Sequence, residues 1–386
     1  MTSAPTPSLA AALDLARAAA NDAPPTPPEP GRPRPRRFAI GDPQAPLATF
    51  LTVLDRRGLL GPDGWLAPDV YLISAGDHFD WGGAEVRDQA ASDGLALLAW
   101  LAAHPADQVA LVAGNHDLGR VGELAGFDDE SFDDAHAQAR EAYRDGAPDP
   151  TLEAALLARY PDLPTAEVAA RDFAAFTARQ RDLVTRLLRA RRLRLAFAVD
   201  DHTLICHAGV TADDLDTAGL DRAAHADAAQ VAAALDARLD AALAAWDGGP
   251  LAIPGLHTPG HSRTGEGGGI LYHRPAHPDV SDKQRIGHGP HRRRYDPRRL
   301  PLGLVQIVGH IHDRKCRQLL DSWARVEPPQ PGRLRHLLTD GEQVRYQYGL
   351  PAPAEAQAQA CLVFIDGSMN RTDPNAYELC PLPARA

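Results

Sequence analysis

A chain of 386 residues exceeds the size at which one core usually keeps growing, about 250–300 residues, and so predicts one large domain with insertions or a domain with tails. Its net charge of −11 argues against a basic surface that holds nucleic acid by counterion release, and Arg292-Arg293-Arg294 is too short to reverse that. Cys206, Cys316, Cys361 and Cys380 lack any paired spacing, which speaks against a disulfide framework or a thiolate metal site and for a reducing compartment. No basic flank precedes an apolar N-terminal core, and no apolar run reaches about 18 residues, so the expectation is a cytoplasmic protein with no membrane partner.

In chain order, residues 1–36 hold an Ala/Leu-rich patch from Leu9 to Ala20 and then Pro24-Pro25-Thr26-Pro27-Pro28, which predicts a mostly disordered Pro-rich tail with room for a short helix. A strand follows at about 37–41. Leu47, Phe50, Leu51 and Leu54 then fall at i, i+3, i+4 and i+7, with Gly58 where a C-terminal cap belongs, so 45–57 reads as a helix. A strand at 70–74, a helix from Glu85 to Ala103 and a strand at 108–113 complete a βαβαβ series, which implies a largely parallel inner sheet covered by helices. Residues 120–193 read as a helical insertion over one sheet edge, broken by Pro148, Pro150, Pro161 and Pro164. Arg194–Val199 and His202–Cys206 read as a hairpin, and Asp213–Trp246 as helix. A long Gly/His/Arg-rich loop covers about 248–300, and loops of that length are usually functional or disordered. Residues 314–320 and 361–366 read as closing strands around a Pro-rich linker at 327–331, and 368–386 as a C-terminal tail.

The chemistry collects at strand ends. Phe38-Ala39-Ile40 leads into Gly41-Asp42-Pro43-Gln44; Val70-Tyr71-Leu72-Ile73 leads into Gly76-Asp77-His78-Phe79-Asp80; Val109-Ala110-Leu111-Val112 leads into Gly114-Asn115-His116-Asp117. Leu204-Ile205-Cys206 ends at His207, and Leu304-Val305-Gln306-Ile307-Val308 ends at Gly309-His310-Ile311-His312. Singly, an Asp after Gly is as often a turn former and a lone His as often a hydrogen-bonded structural residue. Jointly, carboxylate, amide and imidazole groups on rigid strand ends are what hard divalent cations require. The Gly265–Gly269 run lacks the Lys and Ser/Thr of a phosphate-binding P-loop and reads as flexible loop.

The order GD, GDxxD, GNHD, strand-His, GHxH resembles the calcineurin-like metallophosphoesterase superfamily over about 37–367, and His207-Ala208-Gly209-Val210-Thr211 together with GNHD resembles its phosphoprotein phosphatase and diadenosine tetraphosphatase branch. The resemblance implies an α/β fold, a four-layer αββα sandwich, with two divalent metal ions (Mn, Fe, Zn or Mg). Asp42 and His312 then match ligands of the first metal, Asp77 the bridging carboxylate, and Asn115, His207 and His310 ligands of the second. His116 matches the histidine that protonates the leaving oxygen, and Asp80 the carboxylate that orients and charges it. An imidazole near neutral pKa needs such an anion to stay protonated as a general acid.

Two positions depart from the family pattern. Gln44 stands where a histidine ligand is usual; its carbonyl oxygen suits a hard ion but is a poorer donor to transition metals, so the first metal is expected to bind weakly. Trp81 stands where the phosphatase branch carries an arginine that grips phosphate, and it either packs under the insertion or stacks on a base. His78, His261 and Arg263 are the candidate replacement cations and, with Trp81, the candidate substrate-binding residues. The expected activity is hydrolysis of a phosphate ester or anhydride by metal-bound hydroxide. The substrate would be a phosphoprotein, a nucleotide such as a dinucleoside polyphosphate, or a phosphorylated small molecule. The competing readings are a phosphodiesterase and a degenerate module that only binds a phosphorylated ligand.

Overall fold

The computed structural model describes residues 5–21, 31, 33–144, 146–280, 292–324 and 328–384. Strands β1 (Arg36–Ile40), β2 (Val70–Ser74), β3 (Val109–Val112) and β4 (Leu193–Arg194) pair in parallel, in that order, as the strand–helix alternation implies. After a single residue, Leu195, the chain enters a second sheet through β5 (Ala196–Ala198), which turns antiparallel into β6 (Thr203–Cys206). β7 (Val305–Val308), β8 (Arg335–Thr339), β9 (Val344–Tyr348) and β10 (Ala360–Phe364) complete it in the order β9-β8-β10-β7-β6-β5, with β7 parallel to both β6 and β10. β11 (Cys380–Pro381) runs antiparallel to β1 at the edge of the first sheet.

The period-two geometry of strands explains the layering. Tyr71 and Ile73 of β2 join Ala39, Ile205, Ile307 and Val363 in one cluster shared by the two sheets. Val70 and Leu72, on the opposite face, belong to the larger core with the helices. With both faces covered, β2 is buried throughout, hence its unbroken apolar sequence. Helices α1 (Pro7–Ala20), α2 (Leu47–Arg56) and α3 (Arg87–Ala103) pack together, and α2 buries Leu47, Phe50, Leu51 and Leu54. On the second sheet α9 (Ala228–Ala245), flanked by α8 (Ala212–Ala218), packs on β5 and β6. The α/β sandwich of four layers is therefore in place.

Three sequence expectations are corrected. The short helix that the Leu9–Ala20 patch left room for forms as α1, but it is docked rather than part of a free tail: it buries Leu9, Ala12 and Ala16 at helical spacing, and the Thr6 and Ser8 hydroxyls donate to the Asp55 carboxylate at 2.9 and 2.7 Å. Alanine carries little hydrophobic signal, yet its small side chain permits close approach: a Cβ at Gly64 would lie 2.5 Å from the Ala11 carbonyl carbon. The proline run at 24–28 lies outside the described residues. Second, 314–320 is not a strand but helix α10 (Asp313–Leu320), N-capped by His312, with Cys316, Leu319 and Leu320 buried on one face. Third, 368–386 is no free tail over its described part: Tyr377 is fully buried, and its hydroxyl donates to the carbonyls of Gly41 (3.0 Å) and Ile365 (3.2 Å).

Between α4 (Asn115–Gly119) and α7 (Ala178–Arg189) lies the insertion, with helices α5 (Asp129–Ala142) and α6 (Pro150–Arg159). It has a satellite core of its own, including Phe127, Phe132, Leu163, Phe173 and Phe176. Leu183, Val184, Leu187 and Leu188 of α7 already belong to the main core. The described part of the 248–300 stretch holds two short pairings, His257–Thr258 with Gly268–Gly269 and Arg274–Pro275 with Arg294–Tyr295, and a 3-10 turn at Pro297–Arg299, and its 281–291 part lies outside the described residues.

Candidate metal and catalytic site

The C-terminal ends of β1, β2, β3, β6 and β7 converge, which is where parallel α/β sheets bind ligands. Asp77, His207 and His310 each bring one ligand atom within 4.8 Å of the others, and all three are buried. The His207 Nδ1–H donates to the Ala75 carbonyl at 2.8 Å, which fixes the tautomer and leaves Nε2 facing Asp77 Oδ1 (3.4 Å) and Asn115 Oδ1 (3.1 Å). Both ring nitrogens of His310 are buried without a protein hydrogen-bond partner among the described residues. Orphaned buried nitrogens are costly unless a ligand takes them, and with a carboxylate and a second imidazole alongside, the donor set fits a divalent cation. Asp42 accepts the His310 N–H (2.8 and 3.0 Å) and so ties the end of β1 to the end of β7.

The backbone is bent to achieve this. Asp42, Asp77, Asp80 and His310 all have positive φ, at 31°, 56°, 63° and 63°. Such residues cost about 1–3 kcal/mol each and persist where surrounding structure holds them. Two glycines make room: a Cβ at Gly114 would fall 2.1 Å from Asp77 Oδ1, and one at Gly309 would fall 1.9 Å from Asp42 Oδ1. Asp117 clamps the turn, accepting the N–H groups of Gly114 (2.8 Å) and Asp77 (3.0 Å). Electrostatics divide the two acids. Burial and then Asp366 push Asp42 well above the ordinary carboxylate value, whereas at Asp77 His207 and His116 outweigh burial and hold the carboxyl well below it.

Beside the cluster, His116 Nδ1 lies 2.8 Å from Asp80 Oδ2, and the backbone N–H of His116 donates to Asp77 Oδ1 at 2.9 Å. Asp80 is charged from behind by Arg120, whose Nη1 lies 2.8 Å from Oδ2, and its other oxygen accepts the Ala175 N–H of the insertion at 3.1 Å. Arg120 is fully buried, donates to Gln180 at 3.0 Å and stands 4.7 Å over the Phe79 ring. Burial opposes the imidazolium at His116, but Asp77 and Asp80 overcome it and bring the ring up to about 9. The imidazole edge also meets Phe173 of the insertion, 5.2 Å away.

A family model described as calcineurin-like phosphoesterase matches residues 36–313, the span that contains every strand end named above. The chain belongs to the calcineurin-like phosphoesterase family. It is accordingly a hydrolase of phosphoric esters that works with divalent metals. No curated protein matches the sequence. Among solved structures, a cold-active protein tyrosine phosphatase is similar at 14% identity and a TM-score of 0.33, over 87% of this chain and 70% of that one, a likeness too slight to bear on substrate. No described helix of the phosphoesterase is long and apolar enough to cross a membrane.

Two cavities meet at His116. The larger, about 460 Å³, is walled by Asp42, Gln44, Asp80, Trp81, His312 and Asp366. Gln44 donates from Nε2 to the Phe79 carbonyl at 2.9 Å, so the end of its amide left to the cleft is the carbonyl oxygen, the end that suits a hard cation. His312 is exposed at the rim, its Nδ1 accepting the Lys315 N–H as the cap of α10. Trp81 packs on Ala90, Ala91 and Ala175 and turns one edge to the cleft. The smaller cavity, about 180 Å³, is walled by Asn115, Glu123, Phe173, Tyr272 and Arg274.

The expected replacement cations are not at the site. His78 is buried with its ring bonded to Ser74 (2.9 Å) and Asp117 (2.9 Å), because the turn at Asp77, with its positive φ, sends the imidazole back toward the end of β2. His261 and Arg263 sit on an outer turn, where His261 faces Asp162 at 4.0 Å and Arg263 is exposed, and neither lines either cavity. Two cations do line the smaller cavity, Arg171, which is paired with Glu167 and Asp172, and Arg274. No periodicity in the 248–300 stretch marked it. Arg120, four residues after His116 on one helical turn, was findable from that spacing.

Proposed function

We propose that this phosphoesterase hydrolyses phosphate monoesters, in the manner of a phosphoprotein phosphatase, with His116 as the general acid. The observation that carries the reading is the buried chain Arg120–Asp80–His116 (2.8 Å at each link) ending beside the Asp77–His207–His310 cluster. Asp77, Asn115, His207 and His310 would hold one cation and Asp42, Asp77, Gln44 and His312 another. Bound there, such ions supply positive charge to the phosphoryl oxygens and lower the pKa of water.

The chain's own residues do the rest. Asp80 takes the Nδ1–H of His116, which leaves Nε2 to carry the proton that passes to the leaving oxygen. Arg120 and the Ala175 N–H keep Asp80 anionic and fixed, so that the proton is not drawn to the carboxylate. Arg274, facing the cavity shared with Asn115 and His116, is placed to grip a non-bridging phosphate oxygen, the task left open by Trp81. Phe173 over His116 excludes water from the proton path.

The testing experiment is hydrolysis of p-nitrophenyl phosphate and bis-p-nitrophenyl phosphate by metal-stripped protein titrated with manganese, with metal per chain counted in the same samples. Metal-dependent turnover of the monoester supports the reading, preference for the diester replaces it with a phosphodiesterase, and full metal without turnover of either favours a binding module. His116→Ala should retain metal and lose about a hundredfold or more in rate.

A further inference from the structure

Glu123 is 1% exposed and lies on the wall of the smaller cavity beside His116. Its Oε1 accepts the Gly260 N–H at 2.7 Å and the Tyr272 hydroxyl at 3.0 Å. Its Oε2 is buried and has no hydrogen-bond partner among the described residues. The other two carboxylates of that cavity are neutralised, Asp172 by Arg171 at 2.8 Å and Glu266 by Arg293. Glu123 makes no ion pair with a lysine or arginine among the described residues, and burial raises its pKa. A buried acceptor left without a donor costs stability, so folding does not account for it. Its surroundings are rigid as well: Tyr272 stacks on His257 with the rings 9° from parallel, and a Cβ at Gly267 would fall 2.8 Å from the Tyr272 hydroxyl.

We propose that Glu123 is the specificity-determining residue of a leaving-group pocket, its free oxygen taking the hydrogen-bond donor, hydroxyl or ammonium, of a short alcohol whose phosphate ester sits at His116. The proposal rests on the phosphomonoesterase reading above. The cavity bounds the size: at about 180 Å³, well under half the volume of its neighbour, it suits a short group rather than a nucleoside or a peptide. The His116 side chain borders the same cavity, so an alcohol leaving into it departs beside the proton donor.

Three alkyl phosphates that differ only at the far atom test this: propyl, 2-hydroxyethyl and 2-aminoethyl phosphate, with kcat and KM measured separately on metal-loaded enzyme. The wild type should favour a donor-bearing ester over propyl phosphate by about tenfold or more in kcat/KM, since a site built around an unpaired polar group rejects the analogue that lacks its partner. Which of the two is favoured distinguishes a polyol from an amino alcohol. Glu123→Leu should erase that ratio. Glu123→Gln, which keeps an acceptor for Gly260 and Tyr272 but sets an amide donor at the free position, guards against misfolding and should also erase it. Equal kcat/KM for the three esters in the wild type, or a ratio retained in both variants, overturns the proposal. Refusal of all three by enzyme that cleaves p-nitrophenyl phosphate overturns it too and leaves the monoesterase reading standing, whereas metal-loaded protein inert to every ester removes both.

Discussion

Replacing Asp80 by Asn isolates the charge behind the general acid while keeping its shape. The amide still meets His116 and Ala175 but no longer neutralises Arg120, whose side chain is fully buried while that of Asp80 is 5% exposed. Breaking a buried pair by removing one partner typically costs about 3–5 kcal/mol, a large share of a stability of roughly 5–15 kcal/mol, so the melting temperature should fall clearly. The catalytic effect is separate. In the wild type, His116 is brought up to about 9, so the protonated ring persists below that pH and is lost above it. Without Asp80, burial and the unscreened Arg120 both disfavour the imidazolium, and only Asp77 still supports it. If the ring returns to about 6.5, the protonated fraction at pH 8 drops about thirtyfold. The assay is the pH–rate profile of kcat for phenyl phosphate and for p-nitrophenyl phosphate, whose better leaving group needs less protonation. Asp80→Asn should move the alkaline limb to lower pH and cost phenyl phosphate more than p-nitrophenyl phosphate. An unmoved alkaline limb, or equal losses for both esters, would refute the assignment of Asp80 and His116 as a proton-donating pair.

Asp77→Asn removes the anion facing His207 Nε2 at 3.4 Å, and calorimetric titration with manganese should show binding lost along with turnover. Arg274→Ala should lower kcat/KM for monoesters by about tenfold to a hundredfold with metal content unchanged, the loss expected of one charge-assisted phosphate contact, checked by steady-state kinetics beside metal counting. Gln44→His offers an imidazole in place of an amide oxygen and should tighten the weaker of the metal-binding events, read as a lower apparent dissociation constant. Ala12→Asp, at a fully buried position of α1, should destabilise the fold by a few kcal/mol in denaturant titrations, whereas a free N-terminal tail would tolerate it.

The strand ends were legible in the sequence because each couples an apolar run to a glycine and a polar ligand, a pattern that survives without knowledge of the third dimension. Direction was harder. His78 is adjacent to Asp77, and only the turn's φ of 56° at Asp77 and the presence of Asp117 send its imidazole into the core. The helix over 7–20 was legible as a short helix, but its docking on the core was obscured by composition, since its packing face is largely alanine beside a proline run. Residues 314–320 invited a strand reading because their apolar members are few, and the three-to-four spacing of Cys316, Leu319 and Leu320 outweighed them. Arg274 and Glu123 were out of reach: each enters the cavity from a segment without periodicity or a short turn, and only tertiary packing brings them to the same cavity.

The single-residue crossing at Leu195, whose N–H donates to Asp236 at 2.9 Å, has a consequence for how the enzyme comes into being. Asp42, Asp77 and Asn115 ride on one sheet, His207 and His310 on the other, so the Asp77–His207–His310 cluster is complete only where the two sheets meet. A cation captured between them acts as a clasp: at a hundred times its dissociation constant it would add about 2.7 kcal/mol to the folded state. Metal occupancy would thereby couple the meeting of the two sheets to completion of the candidate site.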